Sequence, residues 1–264
     1  MTYSPFIRLK GVDLYYSSLA YYDNSLKGFV LNLLTHRNQR FIRDIHALKN
    51  LSFDLSPGER VALLGHNGAG KSTLLKAIAG LYPISNGKLD TQGDIRALFD
   101  ISLGFEPDAT GRENILYRGL LLGQSSKQMR NMESEIVEFA DIGELIDYPV
   151  KTYSAGMQVR LAFAISTAIP GDILLLDEVI GAGDAAFMVK AQKRIIQLIE
   201  QANIMVLASH DFSAVRNLCK RALVLDHGNL MFDGNVEEGI QIAQRLQGIK
   251  QFKVYEKQDD REGE

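Results

Sequence analysis

The stretch RVALLGHNGAGKSTLLKAIAG, residues 60–80, decides the fold. Its first part, 60–64, is a short apolar run of the kind that forms a buried strand. GHNGAGKST, residues 65–73, follows at once and fits the pattern G-x-x-x-x-G-K-[ST]. The remaining residues have the composition of a helix. This order predicts a phosphate-binding loop, because glycines let backbone amides turn towards phosphate oxygens and a helix N-terminus attracts anions.

Two side chains of the loop predict the chemistry of its ligand. Lys71 is placed to reach the β and γ phosphates of a nucleotide, and the Ser72 hydroxyl to ligate magnesium. The chain has no N-K-x-D element for reading a guanine base, which disfavours a GTPase. The predicted nucleotide-binding residues of the loop are Gly65, His66, Asn67, Gly68, Ala69, Gly70, Lys71, Ser72 and Thr73.

The rest of the chain predicts a parallel sheet around this loop. DILLLDE, residues 172–178, and NIMVLASH, residues 203–210, are apolar without alternation, as strands buried on both faces are. Helical patterns between the strands indicate an α/β protein. Hairpin turns are predicted at 86–87 and 227–229, with small antiparallel additions near each end.

Polar side chains follow both buried strands at their carboxyl ends, where open α/β sheets bind ligands. Asp177 suits a magnesium-organising role, and Glu178 suits a base for an attacking water. His210 ends the second strand and is expected to reach a γ-phosphate from the same edge. Surface acids and a structural histidine are the alternative interpretation, which the phosphate loop disfavours.

A second helix start resembles an anion site. TYSAGMQVRL, residues 152–161, places Ser154, Ala155 and Gly156 before an amphipathic helix, leaving backbone amides exposed. One nucleotide in one subunit does not need two such helix ends. The surplus disappears if each nucleotide lies between the phosphate loop of one copy and this helix of another.

Composition excludes several classes of protein. The 29 basic and 32 acidic residues give a formal charge of -3, so we expect no nucleic-acid partner. Cys219 is the only cysteine, which rules out an internal disulfide and favours a reducing compartment. The start of the chain has no signal-peptide pattern, and the apolar runs are too short to cross a bilayer.

An amphipathic insertion is predicted between the first two strands, at residues 24–46. Its apolar residues recur at the spacing of one helix face: Leu26, Phe29, Val30, Leu33 and Leu34. Its basic residues are Lys27, Arg37, Arg40 and Arg43. The pattern leaves two interpretations open, a satellite helix packed on its own domain and a docking helix for a partner or a membrane surface.

The phosphate loop, YSAGM at 153–157, ILLLDE at 173–178, GAGD at 181–184 and SHD at 209–211 together resemble the nucleotide-binding subunit of an ABC transporter. The resemblance covers about residues 5–240. It implies an α/β P-loop NTPase with a RecA-like core, antiparallel β additions and an inserted helical subdomain. The expected single domain spans 1–264, with the core at 1–105 and 169–245, the helical subdomain at 106–168 and a charged tail at 250–264.

In that family, two subunits hold two ATP molecules head to tail, so ATP and Mg²⁺ are the implied cofactors and ATP hydrolysis the implied activity. Glu178 matches the hydrolytic glutamate, His210 the switch histidine and Asp184 the D-loop aspartate. Tyr16 is the expected adenine-stacking aromatic, with Tyr15 second. The signature expected to contact the γ-phosphate of the opposite subunit is Ser154, Ala155, Gly156 and Met157.

Two departures from the family pattern stand out. Ala155 occupies a signature position where glycine is usual. The Q-loop glutamine is missing, and Ser102 or Ile101 stands near its place. The resemblance therefore leaves open how the ATP site is coupled to a membrane partner.

FDISLGFEPDATGREN at 99–114, DEVIGAGDAAF at 177–187 and LDHGNL at 225–230 resemble, more narrowly, exporters of O-antigen, capsule and teichoic acid. This implies a homodimeric ATPase at the cytoplasmic face of the inner membrane. It would dock on two copies of an integral membrane permease and drive export of lipid-linked polysaccharide. An ABC subunit for another substrate, such as a drug or lipid, is the main alternative. A non-enzymatic nucleotide-gated scaffold is a further alternative.

Overall fold

The computed structural model describes residues 4–18, 43–99, 104–177 and 185–248. Several features discussed above lie outside these ranges: Ile101, Ser102, Glu178, Asp184, residues 24–42 of the insertion and the tail 250–264. Residues 43–46 of the predicted insertion are described and begin a strand, because they pair antiparallel with the end of the first strand. A helix predicted over 24–46 therefore does not extend into residues 43–46.

The described residues contain nine strands and seven helices. The strands are β1 Phe6–Ser18, β2 Arg43–Leu55, β3 Arg60–Leu64, β4 Asn86–Gln92, β5 Ile95–Leu98, β6 Ile173–Asp177, β7 Ile204–Ala208, β8 Arg221–Asp226 and β9 Asn229–Asn235. The helices are α1 Lys71–Ile78, α2 Gly111–Leu121, α3 Ser126–Ala140, α4 Ala155–Ala168, α5 Ala185–Gln201, α6 Phe212–Leu218 and α7 over residues 236–248. Two short 3-10 turns, Gly143–Asp147 and Val150–Thr152, connect α3 to α4.

A six-stranded sheet forms the centre, in the order β5-β6-β7-β3-β8-β9. Its first five strands are parallel, and β9 is antiparallel to β8. Helices cover both faces, which is why β6 and β7 are apolar throughout. The predicted α/β fold is confirmed. Asp177 lies opposite Ala208, and Leu63 pairs with Ala208 from the other side, so β6, β7 and β3 end at one edge.

A three-stranded antiparallel sheet, β2-β1-β4, packs over α1 and one face of the central sheet. The shared core contains Leu9 and Leu51 from the small sheet, Leu75 from α1 and Leu63 from β3, all at most 1% exposed. The opposite face of the central sheet packs on α5, α6 and α7. The phosphate-loop strand is therefore held between two cores.

One of the two predicted hairpin turns is confirmed. His227 and Gly228 join β8 to β9 with φ angles of 47° and 82°, as a type I′ turn requires. The turn predicted at Asn86-Gly87 is wrong, because these residues begin β4, where Asn86 pairs with Asp13 of β1 and Gly87 lies at a break in the register. Gly87, which has a positive φ, instead allows β4 to lie close to β1, because a Cβ on it would collide with the Gly11 carbonyl.

Residues 104–168 are mostly helical and pack in a second core, to which Phe187 and Ala191 of α5 also belong. Thr110 and Glu113 form a capping box at the start of α2, and Ser125 and Gln128 form a second one at α3. Within the described ranges, none of the helices has the length and apolar character that crossing a membrane requires.

Candidate functional site

The phosphate loop lies between β3 and α1 in a conformation that only glycine adopts easily. Gly70 precedes α1 with a φ of 109°. Gly65 has a φ of 149°, and a Cβ on it would collide with the Leu225 carbonyl of the neighbouring strand. Both positions therefore need a residue without a side chain, and the loop amides stay free to turn inwards.

Lys71 points back into this loop. Its side chain is buried, and Nζ donates to the carbonyl oxygens of Gly65 at 2.8 Å and His66 at 3.2 Å. The His210 Nε2 atom lies 3.4 Å from the same ammonium group. The two loop carbonyls thus hold the ammonium group at the cleft, where phosphate oxygens can also accept from it.

A cleft of about 190 Å³ opens beside Lys71 and brings together the ends of three strands. The loop follows β3, Asp177 ends β6, and Ser209 and His210 follow β7. Its lining consists of Asn67, Gly68, Gly70, Lys71, Ser72, Thr73, Asp177, Ala208, Ser209 and His210. Residues predicted as phosphate-binding, magnesium-binding and catalytic therefore share one cleft.

The side chains present fit a magnesium ion. Ser72 offers a hydroxyl oxygen and Asp177 a carboxylate, and Mg²⁺ binds to oxygen donors of these types. Both residues lie at the carboxyl edge of the sheet. No other ligand is needed from the protein, because Mg²⁺ in nucleotide sites usually takes its remaining ligands from phosphates and water.

The turn that carries His210 is fixed by a residue that the sequence patterns missed. Asp211 caps α6 by accepting hydrogen bonds from the amides of Ser213, at 2.8 Å, and Ala214, at 3.2 Å. Its own amide donates to Ser209 Oγ at 3.0 Å. An aspartate directly before a helical pattern is a recognisable capping signal, so this role could have been found in the sequence.

Three residues of the loop do not line the cleft: Gly65, His66 and Ala69. Ala69 is buried beneath the loop. The His66 ring turns away towards Asp226 and His227, so its side chain is not directed at a ligand in the cleft.

Of the two tyrosines considered for adenine stacking, Tyr16 contacts the phosphate loop. Its hydroxyl donates to Thr73 Oγ1 at 3.0 Å, and its ring meets the edge of Tyr82. Burial raises the pKa of the Tyr16 hydroxyl. The Tyr15 ring instead stacks on His46, with centroids 4.1 Å apart.

The predicted signature lies at the start of α4. Ser154 caps the helix by accepting from the Met157 amide at 3.3 Å, and Ala155 and Gly156 are exposed. None of the residues that line the cleft comes from this helix. Within the described part of one chain, the signature and the phosphate loop form separate surfaces.

Comparisons with known proteins agree with this geometry. The family model of the ABC transporter matches residues 48–181, just over half of the 264-residue chain. The O-antigen export system ATP-binding protein RfbE of Yersinia enterocolitica is 46% identical over 184 residues, which cover 70% of this chain and 77% of that protein. The teichoic acids export ATP-binding protein TagH of Lactococcus lactis is 36% identical over 203 residues.

The chain spans less than half of some of these relatives. It covers 43% of TagH and 47% of the O-antigen export system ATP-binding protein RfbB of Myxococcus xanthus, to which it is 40% identical. The dimeric structure of the ATP-binding cassette MJ0796 in a post-hydrolysis state with ADP and Pi has the same fold. It matches with a TM-score of 0.63 and 22% identity, over 87% of this chain and 98% of that one. The chain belongs to the ABC transporter family, whose ATPase domain it contains.

Proposed function

We propose that this protein is the ATP-hydrolysing subunit of an exporter that drives a lipid-linked surface polysaccharide across the inner membrane. The observation that carries the proposal is the 46% identity to an O-antigen export ATP-binding protein over 70% of the chain. Teichoic acid export proteins match over a similar share of the chain. The shared cargo class of these relatives is a surface glycan polymer.

The cleft supplies the groups that hydrolysis needs. Lys71 and the loop amides would hold the β and γ phosphates, and Ser72 and Asp177 would hold magnesium. When bound, Mg²⁺ would neutralise charge on the phosphate oxygens. Glu178, next in the chain after Asp177, would accept a proton from the attacking water, and His210 would donate to the γ-phosphate.

The separate position of the signature supports a head-to-tail dimer. The exposed start of α4 would present its backbone amides to the cleft of a second copy. ATP that binds only between two copies would favour the closed dimer, and hydrolysis would reopen it. Two copies of a membrane permease would follow this movement, which places the protein peripherally at the cytoplasmic face.

The test replaces Glu178 with Gln in the native host and measures lipid-linked glycan on each side of the inner membrane. Purified protein is assayed for phosphate release in parallel. We expect hydrolysis to fall by roughly a hundredfold or more, because a general base contributes 10²–10⁴-fold. Polymer should accumulate on the cytoplasmic side. Glu238→Gln, the same change on an exposed position of α7, is the matched control.

The two readouts separate the parts of the proposal. Normal hydrolysis in Glu178→Gln would contradict the role of the glutamate. Lost hydrolysis with normal surface glycan would keep the ATPase and assign it to another cargo, such as a drug or lipid.

A further inference from the structure

Three potential metal ligands meet at the phosphate loop, and none of them is among the residues that line the cleft. They are His66 of the loop and Asp226 and His227 of the β8–β9 turn. One ligand atom from each lies within 4.8 Å of the others. The two imidazole rings are 4.9 Å apart between centroids and tilted by 58°. Neither the expected nucleotide chemistry nor the magnesium site uses this group of side chains.

The backbone holds the two segments together at this place. The Gly228 amide donates to the Ala69 carbonyl at 2.9 Å, and the Lys49 amide donates to the Gly228 carbonyl at 2.8 Å. The turn is therefore fixed between the loop and β2. Ligands mounted on hydrogen-bonded backbone need little rearrangement to bind an ion.

The hydrogen bonds of His66 direct one of its ring nitrogens at the group. Nδ1 lies 2.5 Å from the Asn67 carbonyl, so this nitrogen carries a proton and donates. Nε2 is buried and lies 2.9 Å from Asp226 Oδ1. An imidazole nitrogen and a carboxylate oxygen are both metal ligands, and an ion bound by the two would replace their direct contact.

We propose that His66 Nε2, the Asp226 carboxylate and the His227 ring form a binding site for a divalent transition-metal ion of the Zn²⁺ type. Two imidazoles and one carboxylate suit such an ion, with water completing the shell. Mg²⁺ prefers oxygen ligands, so this site is chemically distinct from the one at Ser72 and Asp177. The hydrogen bond from His66 Nδ1 to the Asn67 carbonyl fixes the orientation of the ring. Metal-binding histidines are commonly held by a hydrogen bond of this kind from the nitrogen that does not bind the metal.

The distances are close to those that the ion requires. Zn–N bonds of about 2.0–2.1 Å place tetrahedral ligand atoms roughly 3.4 Å apart. A pair 4.8 Å apart must therefore close by about 1.4 Å, and the 2.9 Å contact between His66 and Asp226 must open by about 0.5 Å. His227 is exposed and can make this movement, and it also leaves the ion a path from solvent. A bound ion would join the phosphate loop to the β8–β9 turn, and we expect it to restrict motion of the loop.

The test titrates nucleotide-free protein with Zn²⁺ by calorimetry, because ATP and ADP chelate the metal themselves. We expect one ion per chain in the wild type. His227→Asn should weaken binding tenfold or more, since loss of even an outer-shell partner costs 10–100-fold. Asn suits the φ of 47° at this position, and His227→Gly offers a second variant that the turn accepts.

His46→Asn is the matched control, because His46 also pairs with an aspartate, Asp13, but lacks a second histidine. It should bind Zn²⁺ like the wild type. Hydrogen exchange gives an independent readout: Zn²⁺ should slow exchange of the loop and turn amides in the wild type and His46→Asn only. Absence of Zn²⁺ binding in the wild type, or unchanged affinity in both His227 variants, would overturn the proposal.

Discussion

Lys71 shows at the scale of one residue how the site is prepared for an anion. Its ammonium group is buried and satisfied by the loop carbonyls of Gly65 and His66. A buried charge without such partners would cost several kcal/mol, on the order of the penalties measured for unpaired ions. The carbonyls keep the lysine at the cleft, and His210 approaches from the neighbouring strand end.

Cys219 is predicted to be chemically inert in the folded protein. Its side chain is 3% exposed, and burial raises the pKa of the thiol to about 12, against an ordinary value of 9.0. We expect a thiol reagent at about pH 8 to react only after unfolding, because the thiolate is the reactive form. The measurement compares labelling rates in buffer and in denaturing urea. Native-state labelling at the rate of a free peptide thiol would contradict the prediction.

The raised pKa of the Cys219 thiol also makes the folded protein less stable in alkali. The unfolded thiol ionises near 9.0, whereas the folded one stays protonated until about 12. The group therefore stabilises the fold fully below the unfolded pKa, and this contribution is lost as pH rises through that window.

At the scale of elements, a substitution at the start of α4 is expected to affect stability and hydrolysis differently. Gly156 is exposed, and a Cβ there would meet only Ser154 Oγ, at 3.9 Å. Alanine is the better helix former by roughly 0.5–1 kcal/mol, so Gly156→Ala should fold at least as stably as the wild type. Urea unfolding measures this.

Hydrolysis by Gly156→Ala is expected to fall tenfold or more, because removing one preorganised donor at a developing charge commonly costs about 10²–10³. The physical reason is the added methyl group, which would separate the helix end from the γ-phosphate of the ATP bound to the opposite subunit. Gly248→Ala, a similar change in open space near the end of α7, is the control. Wild-type hydrolysis by Gly156→Ala would argue against a phosphate contact at this glycine.

At the scale of the whole molecule, the proposed dimer predicts that two inactive variants rescue each other. Lys71→Ala removes the phosphate contact of one subunit, and Gly156→Asp places a negative charge at the α4 start. Each homodimer then has two damaged sites. A mixed dimer has one site with both defects and one with neither, so mixing should restore part of the phosphate release.

The mixing experiment has its own controls. Each variant alone should stay inactive at the same total concentration. The mixture should also show ATP-dependent dimers by light scattering. Mixed dimers that form without any recovery of hydrolysis would mean that a single intact site does not suffice, and absence of dimers would contradict the head-to-tail arrangement.

The residues that line the cleft could be predicted from the sequence because each lies within a short, recognisable pattern. The phosphate loop, Asp177 and His210 are each attached to a strand that can be recognised from its own residues. Asn86-Gly87 was misread as a hairpin turn, since the same glycine conformation also serves close contact with β1. That contact joins residues that are distant in the chain, so it cannot be predicted from local sequence patterns.

The sequence by itself determined the parallel α/β core, the capped helices and the chemistry of the phosphate loop, because short-range periodicity and turn geometry govern these features. The tertiary structure alone decided that the His66 ring turns from the cleft towards Asp226 and His227. It also decided that the α4 start lies apart from the cleft of its own chain. Both depend on how separate segments pack, and side-chain direction in a packed fold is set by neighbours far away in sequence.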